Sequence, residues 1–266
     1  MAVSIGAFYH PHLARETLDL AGFIEHLAMA DPPPPDDPHF AAVRARFVLL
    51  LHDFLGQLSE PVEGDALERA RRLVTLYDPP WVAEHLQRVH TTAADAFVDY
   101  VFPPLYTADL LADYVRHARA LQAALGRPLI LEPIPTYLHV PAPQLGEAAF
   151  VERFLAESGC GLLLDVSHAW LSARYAGRSA RELILALPLD RVVEVHVAGV
   201  EDDPDLAGPW IGTAVPTAEL LDLACLVAER APGLRAVTFD AFSTALRAET
   251  LRAGVAVIRT ALGVPA

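Results

Sequence analysis

His52, His85, Glu132, Asp165 and His196 are imidazole and carboxylate side chains at or beside the ends of short apolar runs. Together they form a donor set suited to a divalent metal ion. The runs are Phe47–Leu51, Trp81–His85, Leu129–Glu132, Gly161–Asp165 and Val192–Val197, and a further run, Ala236–Phe239, is followed by Asp240. Each residue alone has a structural reading. Asp165 can cap the helix that follows it, His52 with Asp53 can be a loop pair, and Glu132, held before Pro133-Ile134-Pro135, can accept backbone hydrogen bonds. As a set they read differently, because buried carboxylates and neutral imidazoles are costly to desolvate unless a cation joins them. Nitrogen and oxygen donors without cysteine suit iron, manganese or zinc, and two histidines with one carboxylate and open positions are typical of non-heme Fe(II) oxygen chemistry. His168, three residues after Asp165, and Asp240 are candidates for further ligation, while Glu194, two residues before His196, and Glu84, beside His85, are candidates for orienting ligands.

These side chains need a scaffold that brings strand ends to one place. Eight Val/Ile/Leu-rich runs are present: the six above with Val3–Phe8 and Gly22–Leu27. They alternate with helical periodicity over Asp65–Tyr77, Ala108–Leu125, Glu147–Ser158, Ser179–Leu187, Thr217–Arg230 and Thr244–Leu262. Gly126-Arg127-Pro128, Gly159-Cys160-Gly161 and Pro232-Gly233 mark helix ends. The pattern predicts an α/β fold, a TIM-type (β/α)8 barrel forming one domain over residues 1–266, whose C-terminal strand ends face a common mouth. An open doubly wound sheet fits less well, since the first βα turn lacks a glycine-rich phosphate fingerprint. Asp31–His39, with its Pro32–Pro35 run, reads as a surface loop. His10 and His12 flank Pro11 and either line the mouth or face solvent; His90, His117 and His139 have no strand-end placement, and Trp81 and Trp170 read as packing residues.

Composition removes several classes of function. With 34 acidic against 20 basic residues and a formal charge of −14, a nucleic-acid backbone would meet mostly repulsion. The sequence holds no lysine, which excludes Schiff-base chemistry. Cys160 and Cys225 read as reduced, buried thiols rather than a disulfide scaffold or metal cluster. No signal-peptide pattern opens the chain and no apolar run approaches the ~20 residues of a membrane span, so a soluble, cytoplasmic protein is expected. Serine-hydrolase elbow, P-loop and His-Glu-x-x-His patterns are absent from the sequence.

Longer stretches carry a resemblance. Tyr77-Asp78-Pro79 leading to Ala83-Glu84-His85-Leu86, the segments Leu121–Glu132 and Gly159–Val166, and Leu187–Gly199 resemble the multinuclear non-heme iron oxidative enzymes, the barrel family of methanobactin and 3-thiaglutamate biosynthesis. The resemblance implies a xylose-isomerase-like TIM barrel. It implies iron ligation by His52, His85, Glu132, Asp165 and His196, and oxidative modification of a peptide or peptide-linked residue such as cysteine in natural-product biosynthesis. It also implies a peptide or small-molecule substrate, with a partner protein to present the peptide. The chain departs from the family at several ligand positions. Leu131-Glu132-Pro133 stands for Leu-Glu-Asn, and Asp165-Val166-Ser167-His168 for Asp-Val-Asn-Asn. Ala198-Gly199-Val200 stands for Ala-Gly-His, Ile211-Gly212-Thr213-Ala214 for Ile-Asp-Thr-His, and Thr238-Phe239-Asp240 for Glu-x-Asp. One iron is expected, or two if His168 and Asp240 are recruited, with Mn or Zn as alternative ions. The alternative functions are a divalent-metal isomerase or hydrolase on the same barrel, or a non-catalytic, ligand-depleted member that binds a peptide or partner protein.

Overall fold

The computed structural model describes residues 3–34, 37–55, 58–91, 96–137, 144–202 and 208–264. Its elements run β1 (Ser4–Phe8), α1 (Ala14–Leu18), β2 (His26–Met29), α2 (Pro38–Arg44), β3 (Val48–His52), α3 (Gly64–Tyr77), β4 (Val82–Leu86), β5 (Arg88–Thr91) and β6 (Ala96–Phe102). They continue through α4 (Ala108–Leu125), β7 (Leu129–Pro133), α5 (Glu147–Ser158), β8 (Gly161–Asp165), α6 (Val166–Ala176) and α7 (Ala180–Leu185). Last come β9 (Val192–Val197), β10 (Gly199–Asp202), β11 (Pro209–Gly212), α8 (Ala218–Arg230), β12 (Ala236–Phe239) and α9 (Ala248–Ala261). Eight strands close a parallel barrel in the order β1-β12-β9-β8-β7-β4-β3-β2, while β5-β6 and β10-β11 form two separate antiparallel hairpins.

The two-residue period of a strand decides what the barrel encloses. Phe8, Ala28, Leu50, Trp81, Ala83, Ile130, Leu163 and Ala236 form a small interior cluster, separate from the large one that the outward residues build with the helices. Two residues beyond Leu50, Ala83, Ile130 and Leu163 lie His52, His85, Glu132 and Asp165, so the same alternation that packs the interior turns these four into the barrel at its C-terminal end. Register completes the arrangement: His85 pairs with Glu132, Asp165 with His196, and His196 with Thr238. The outward partners Leu51, Val82, Leu131, Leu164, Val195 and Val197 are at most 2% exposed and pack under the helices.

The helices begin where side chains can satisfy their first amides. Thr107, Ser179 and Thr217 each accept from the backbone N–H three residues on, opening α4, α7 and α8. Several expectations are corrected. The second strand is His26–Met29 rather than Gly22–Leu27, because Leu20 and Ala21 carry a turn that delays pairing until Gly6 meets His26. Helices α1, α2 and α6 and both hairpins lie in stretches with no strong periodic signal. The last helix starts at Ala248 rather than Thr244, after turns around Ser243–Leu246. The proline run is loop up to Pro34, and Tyr77 donates its hydroxyl to the Pro33 carbonyl at 3.0 Å; Pro35 and His139 lie outside the described residues. Among the described residues no helix is long and apolar enough to cross a membrane.

Candidate metal centre

Glu132 stands at the centre of the barrel mouth, its carboxylate fully buried. Its Oε2 lies 3.0 Å from His52 Nε2 and 3.2 Å from His85 Nε2, and its Oε1 lies 3.2 Å from His168 Nδ1 and 3.9 Å from His196 Nδ1. Asp240 Oδ2 approaches His196 Nδ1 to 3.5 Å, and Asp165 Oδ2 approaches His168 Nε2 to 3.6 Å. Close as these atoms are, most of them are not aimed at one another. Both Glu132 oxygens, His52 Nδ1, Asp165 Oδ2, His196 Nδ1 and Asp240 Oδ1 are buried without a hydrogen-bond partner. Leaving so many buried polar atoms unmatched costs about 1–3 kcal/mol each, which a cation accepting their lone pairs would offset.

Two overlapping sets have donor atoms within 4.8 Å of one another: His52, Glu132 and His196, and Glu132, Asp165, His196 and Asp240. Glu132 and His196 belong to both, so the residues present fit one divalent ion or a pair sharing Glu132. The outer nitrogens of the histidines strengthen the fit, since a ligating imidazole usually rests its other ring nitrogen on a carboxylate or carbonyl. His196 Nε2 is 3.2 Å from Glu194 Oε1, and His85 Nδ1 is 3.1 Å from Asp53 Oδ1. His168 Nδ1 is 3.1 Å from the Pro133 carbonyl, which leaves its Nε2 toward Asp165.

Asp165 performs both roles that its position allowed. Its Oδ1 accepts from the Ser167 and His168 amides at 2.5 and 2.9 Å and caps α6, while Oδ2 remains bare in the cluster. Glu84 acts indirectly. Strand alternation turns it away from His85's side, and its Oε1 accepts from the Phe54 and Leu55 amides, both at 3.1 Å, so it holds the loop after His52 rather than facing the cluster. Glu194 lies one layer below the cluster, and Trp81, expected only to pack, donates its indole N–H to Glu194 at 2.9 Å. His117 is bound to the Leu58 carbonyl at 2.9 Å, away from the centre.

Two residues have roles that the sequence leaves open. Asp53 adopts a left-handed backbone, φ 50°, accepts from Gln87 at 2.9 Å and places its carboxylate 3.1 Å from the outer nitrogen of His85. Its signal was its place directly after a strand-end histidine, since Asp tolerates that backbone better than most residues. His10, immediately beyond β1, is buried with Nε2 lacking a partner, and only burial, invisible in sequence, separates it from an exposed loop histidine.

Electrostatics shows how the centre is balanced without a cation. Burial alone would neutralise His85 and His196, but the carboxylates of Glu132 with Asp53, and of Glu132 with Asp240, outweigh it and hold both imidazoles protonated well above their usual range. Burial likewise opposes ionisation of Glu132, yet His85, His168, His196 and His52 around it push its carboxyl well below the carboxylate norm. Burial dominates at Asp165 and Glu84 and raises both. Glu194 drops to about 2, since the His196 hydrogen bond and charge override its burial. Imidazolium protons thus occupy the electrostatic role of a cation, and a metal would displace them.

Residues 11–218 match the family model described as RiPP precursor modification enzyme MbnB/TglH/ChrH, RiPP denoting ribosomally made, post-translationally modified peptides. The chain belongs to this family. Among curated relatives, a UPF0276 protein of Paraburkholderia phytofirmans is 34% identical over 205 residues, covering 75% of this chain and 66% of that protein. A UPF0276 protein of Rhizobium meliloti is 31% identical over 209 residues, covering 76% and 67%. The matched stretch spans about two thirds of the length of these relatives. Among solved structures, the IOLI protein with a binding zinc atom superposes with a TM-score of 0.63 at 12% identity, covering 98% of each chain. A xylose isomerase-like TIM barrel protein from Mycobacterium smegmatis in complex with magnesium gives 0.60 at 15% identity, covering 98% of this chain and all of that one. The fold is therefore the xylose-isomerase-like TIM barrel.

The departures of this MbnB/TglH/ChrH-family chain now have physical content. His168, where the family carries asparagine, enters the cluster beside Glu132. Val200, Gly212 and Ala214, where the family carries metal-binding types, sit on or beside the β10-β11 hairpin, which closes on itself: a Cβ on Gly199 would collide with the Ala214 backbone. Glu201 there accepts from the Thr213 amide at 2.6 Å and hydroxyl at 3.2 Å.

Proposed function

We propose that the chain is a metal-dependent enzyme that oxidatively modifies a peptide, at a residue such as cysteine, using one or two non-heme iron ions held by His52, His85, Glu132, Asp165 and His196, with His168 and Asp240 available to a second ion. The observation carrying this reading is the buried Glu132 carboxylate, both oxygens without hydrogen bonds, among four imidazoles within 3.9 Å. Membership in a family of peptide-modifying enzymes supports the substrate class. Ferrous iron supplies dioxygen chemistry when bound.

The protein's own contribution is placement and dryness. Glu194 and the Pro133 carbonyl hold the outer nitrogens of His196 and His168, and Asp53 stands 3.1 Å from that of His85, so their inner nitrogens are set before any ligand arrives. Leu50, Ala83, Ile130 and Leu163 pack apolar side chains beneath the centre and help keep water from reaching it from below. Substrate therefore enters from the mouth, where Phe242, 70% exposed and 5.0 Å from the Phe8 ring, offers an aromatic surface. His10 Nε2 at the same end is a neutral hydrogen-bond acceptor, its pKa lowered to about 4 chiefly by burial.

The test is anaerobic reconstitution with Fe(II), Mn(II) or Zn(II), metal analysis, and exposure of the iron form to O2 with cysteine-containing peptides encoded beside its gene. A peptide mass change that needs both iron and O2 is expected. Less than about half an equivalent of any transition metal would sink the reading, since such donor sets bind divalent ions well. Turnover with Zn(II) under anaerobic conditions would replace it by Lewis-acid chemistry.

A further inference from the structure

Below the centre, a chain of polar side chains threads the barrel: Ser4 Oγ to His26 Nδ1 at 2.7 Å, His26 Nε2 to Thr238 Oγ1 at 2.9 Å, Thr238 Oγ1 to Glu194 Oε1 at 2.6 Å, and Glu194 Oε1 to His196 Nε2 at 3.2 Å. His26, Thr238, Glu194 and His196 are at most 1% exposed. The interior is built around this chain, because a Cβ on Gly6 would collide with the His26 ring, and only glycine leaves the ring its space. A buried histidine and threonine in the floor of a barrel are unusual where branched apolar residues normally fill the layers.

Hydrogen-bond inventory fixes the direction of every link. The Trp81 indole can only donate, and it donates to Glu194 Oε2. Glu194 as a carboxylate can only accept, so the Thr238 hydroxyl spends its proton on Oε1 and must accept from His26 Nε2–H. Neutral His26 then presents Nδ1 as an acceptor to the Ser4 hydroxyl. At the other end His196 keeps a proton on Nε2 for Glu194, so Nδ1, facing Glu132 and Asp240, is the nitrogen whose proton a metal would displace.

We propose that His26 and Thr238 are positioning residues which, by holding Glu194 from below, select Nδ1 of His196 as its metal-facing nitrogen and so tune metal affinity from the opposite end of the barrel interior. The proposal rests on the metal reading above and is separable from it. Co(II) is the probe, with dissociation constants from chelator competition and visible absorption as a report on ligand geometry, measured on the full chain. T238V removes the hydroxyl at nearly constant shape and should weaken Co(II) binding about 10–100-fold while altering its absorption bands, the loss typical of removing an outer partner of a ligand. T238S restores the hydroxyl and should restore both. Because T238V leaves the His26 N–H unpaired, the double variant H26L/T238V serves as a check: it removes both partners, recovers folding stability relative to T238V, and still binds Co(II) weakly. Unchanged affinity and spectrum in T238V and H26L/T238V, with normal binding by the wild type, overturns this proposal alone. No Co(II), Zn(II) or Fe(II) binding by the wild type overturns the metal reading and this proposal with it.

Discussion

The strand-end wall of β3, β4, β7, β8, β9 and β12 and the β10-β11 hairpin both carry acids and polar groups at the barrel mouth, yet they treat them oppositely. In the wall, both oxygens of Glu132 and one each of Asp165 and Asp240 are buried without hydrogen bonds. In the hairpin, Glu201 is half-buried and its Oε1 is matched by the amide and hydroxyl of Thr213. Unpaired lone pairs are expensive to bury and persist where something else completes them; a paired carboxylate is merely structure. Burial with unmatched donors, rather than residue type, separates a candidate site from a turn.

The sharpest way to break this contrast is E132A. Glu132 belongs to both donor sets and touches four imidazoles, so its loss should strip nearly all bound metal and remove the rise in melting temperature that metal gives the wild type by mass action. The barrel should still fold, as its stability rests on layered apolar side chains, and circular dichroism checks that. H117A, which breaks contacts to the Leu58 carbonyl and the Arg116 guanidinium, both away from the centre, should retain full metal content. Full metal content and an intact thermal shift in E132A would reduce the carboxylate to a strand-end ornament. H168A is graded beneath it: if the chain holds a second ion, His168 serves that ion, and metal stoichiometry should fall while one ion stays.

Proton competition gives the next effect. His85 and His196 titrate well above 6.5 in the metal-free protein, raised by Glu132 with Asp53 and Asp240 against the opposing effect of burial. Metal must displace those protons, so affinity should fall as pH drops below their raised values, by about tenfold per pH unit for each proton displaced. Stability of the metal-free protein carries the opposite sign. A raised histidine pKa contributes stability fully present below about pH 6.5 and lost as pH rises through the folded-state value. Thermal melts across pH 6–9 should therefore show the metal-free form weakening toward alkaline pH while the metal-dependent increment grows; parallel curves for the two forms would contradict it.

Much of this was legible in the sequence, and for a definable reason. Eight apolar runs with intervening helices specify the barrel, and alternation within each run fixes which side a terminal His, Glu or Asp faces, so the juxtaposition of His52, His85, Glu132, Asp165 and His196 needed no tertiary information. What stayed hidden depends on contacts between strands distant in sequence. What Asp53 does shows only once Gln87 and His85 are beside it, what Trp81 does only once Glu194 lies across the barrel, and the role of Glu84 only once the Phe54 and Leu55 amides arrive over it. The second strand was misplaced by a few residues because its true content, His26-Leu27-Ala28-Met29, starts with a polar residue that the interior chain explains and hydrophobic patterning does not.

Glu84 tests that indirect layer. E84A removes the acceptor of the Phe54 and Leu55 amides, at a cost of about 1–3 kcal/mol for buried groups left unmatched. Since His52 and Asp53 precede those amides, metal affinity should fall as well, but less than in H52A. E84Q keeps a carbonyl acceptor and should recover most of both. Equal metal loss in E84A and H52A would mean that Glu84 acts on the ion directly.

The smallest effect belongs to the hairpin. E201A removes hydrogen bonds to the Thr213 amide and hydroxyl at a half-buried site, where water can replace part of what is lost, so the cost should be about 0.5–1.5 kcal/mol. In a chain of this size that corresponds to a fall of about 2–5 °C in melting temperature. Metal content and Co(II) spectrum should be those of the wild type, because Glu201 Oε1 is engaged within its own turn and Gly212 and Ala214 provide no donor side chains beside it. The measurement is a paired one, metal stoichiometry and thermal shift on E201A and wild type in the same preparation. If E201A loses an equivalent of metal, the hairpin carries a site of its own, and satisfied hydrogen bonding no longer separates the two regions of the mouth.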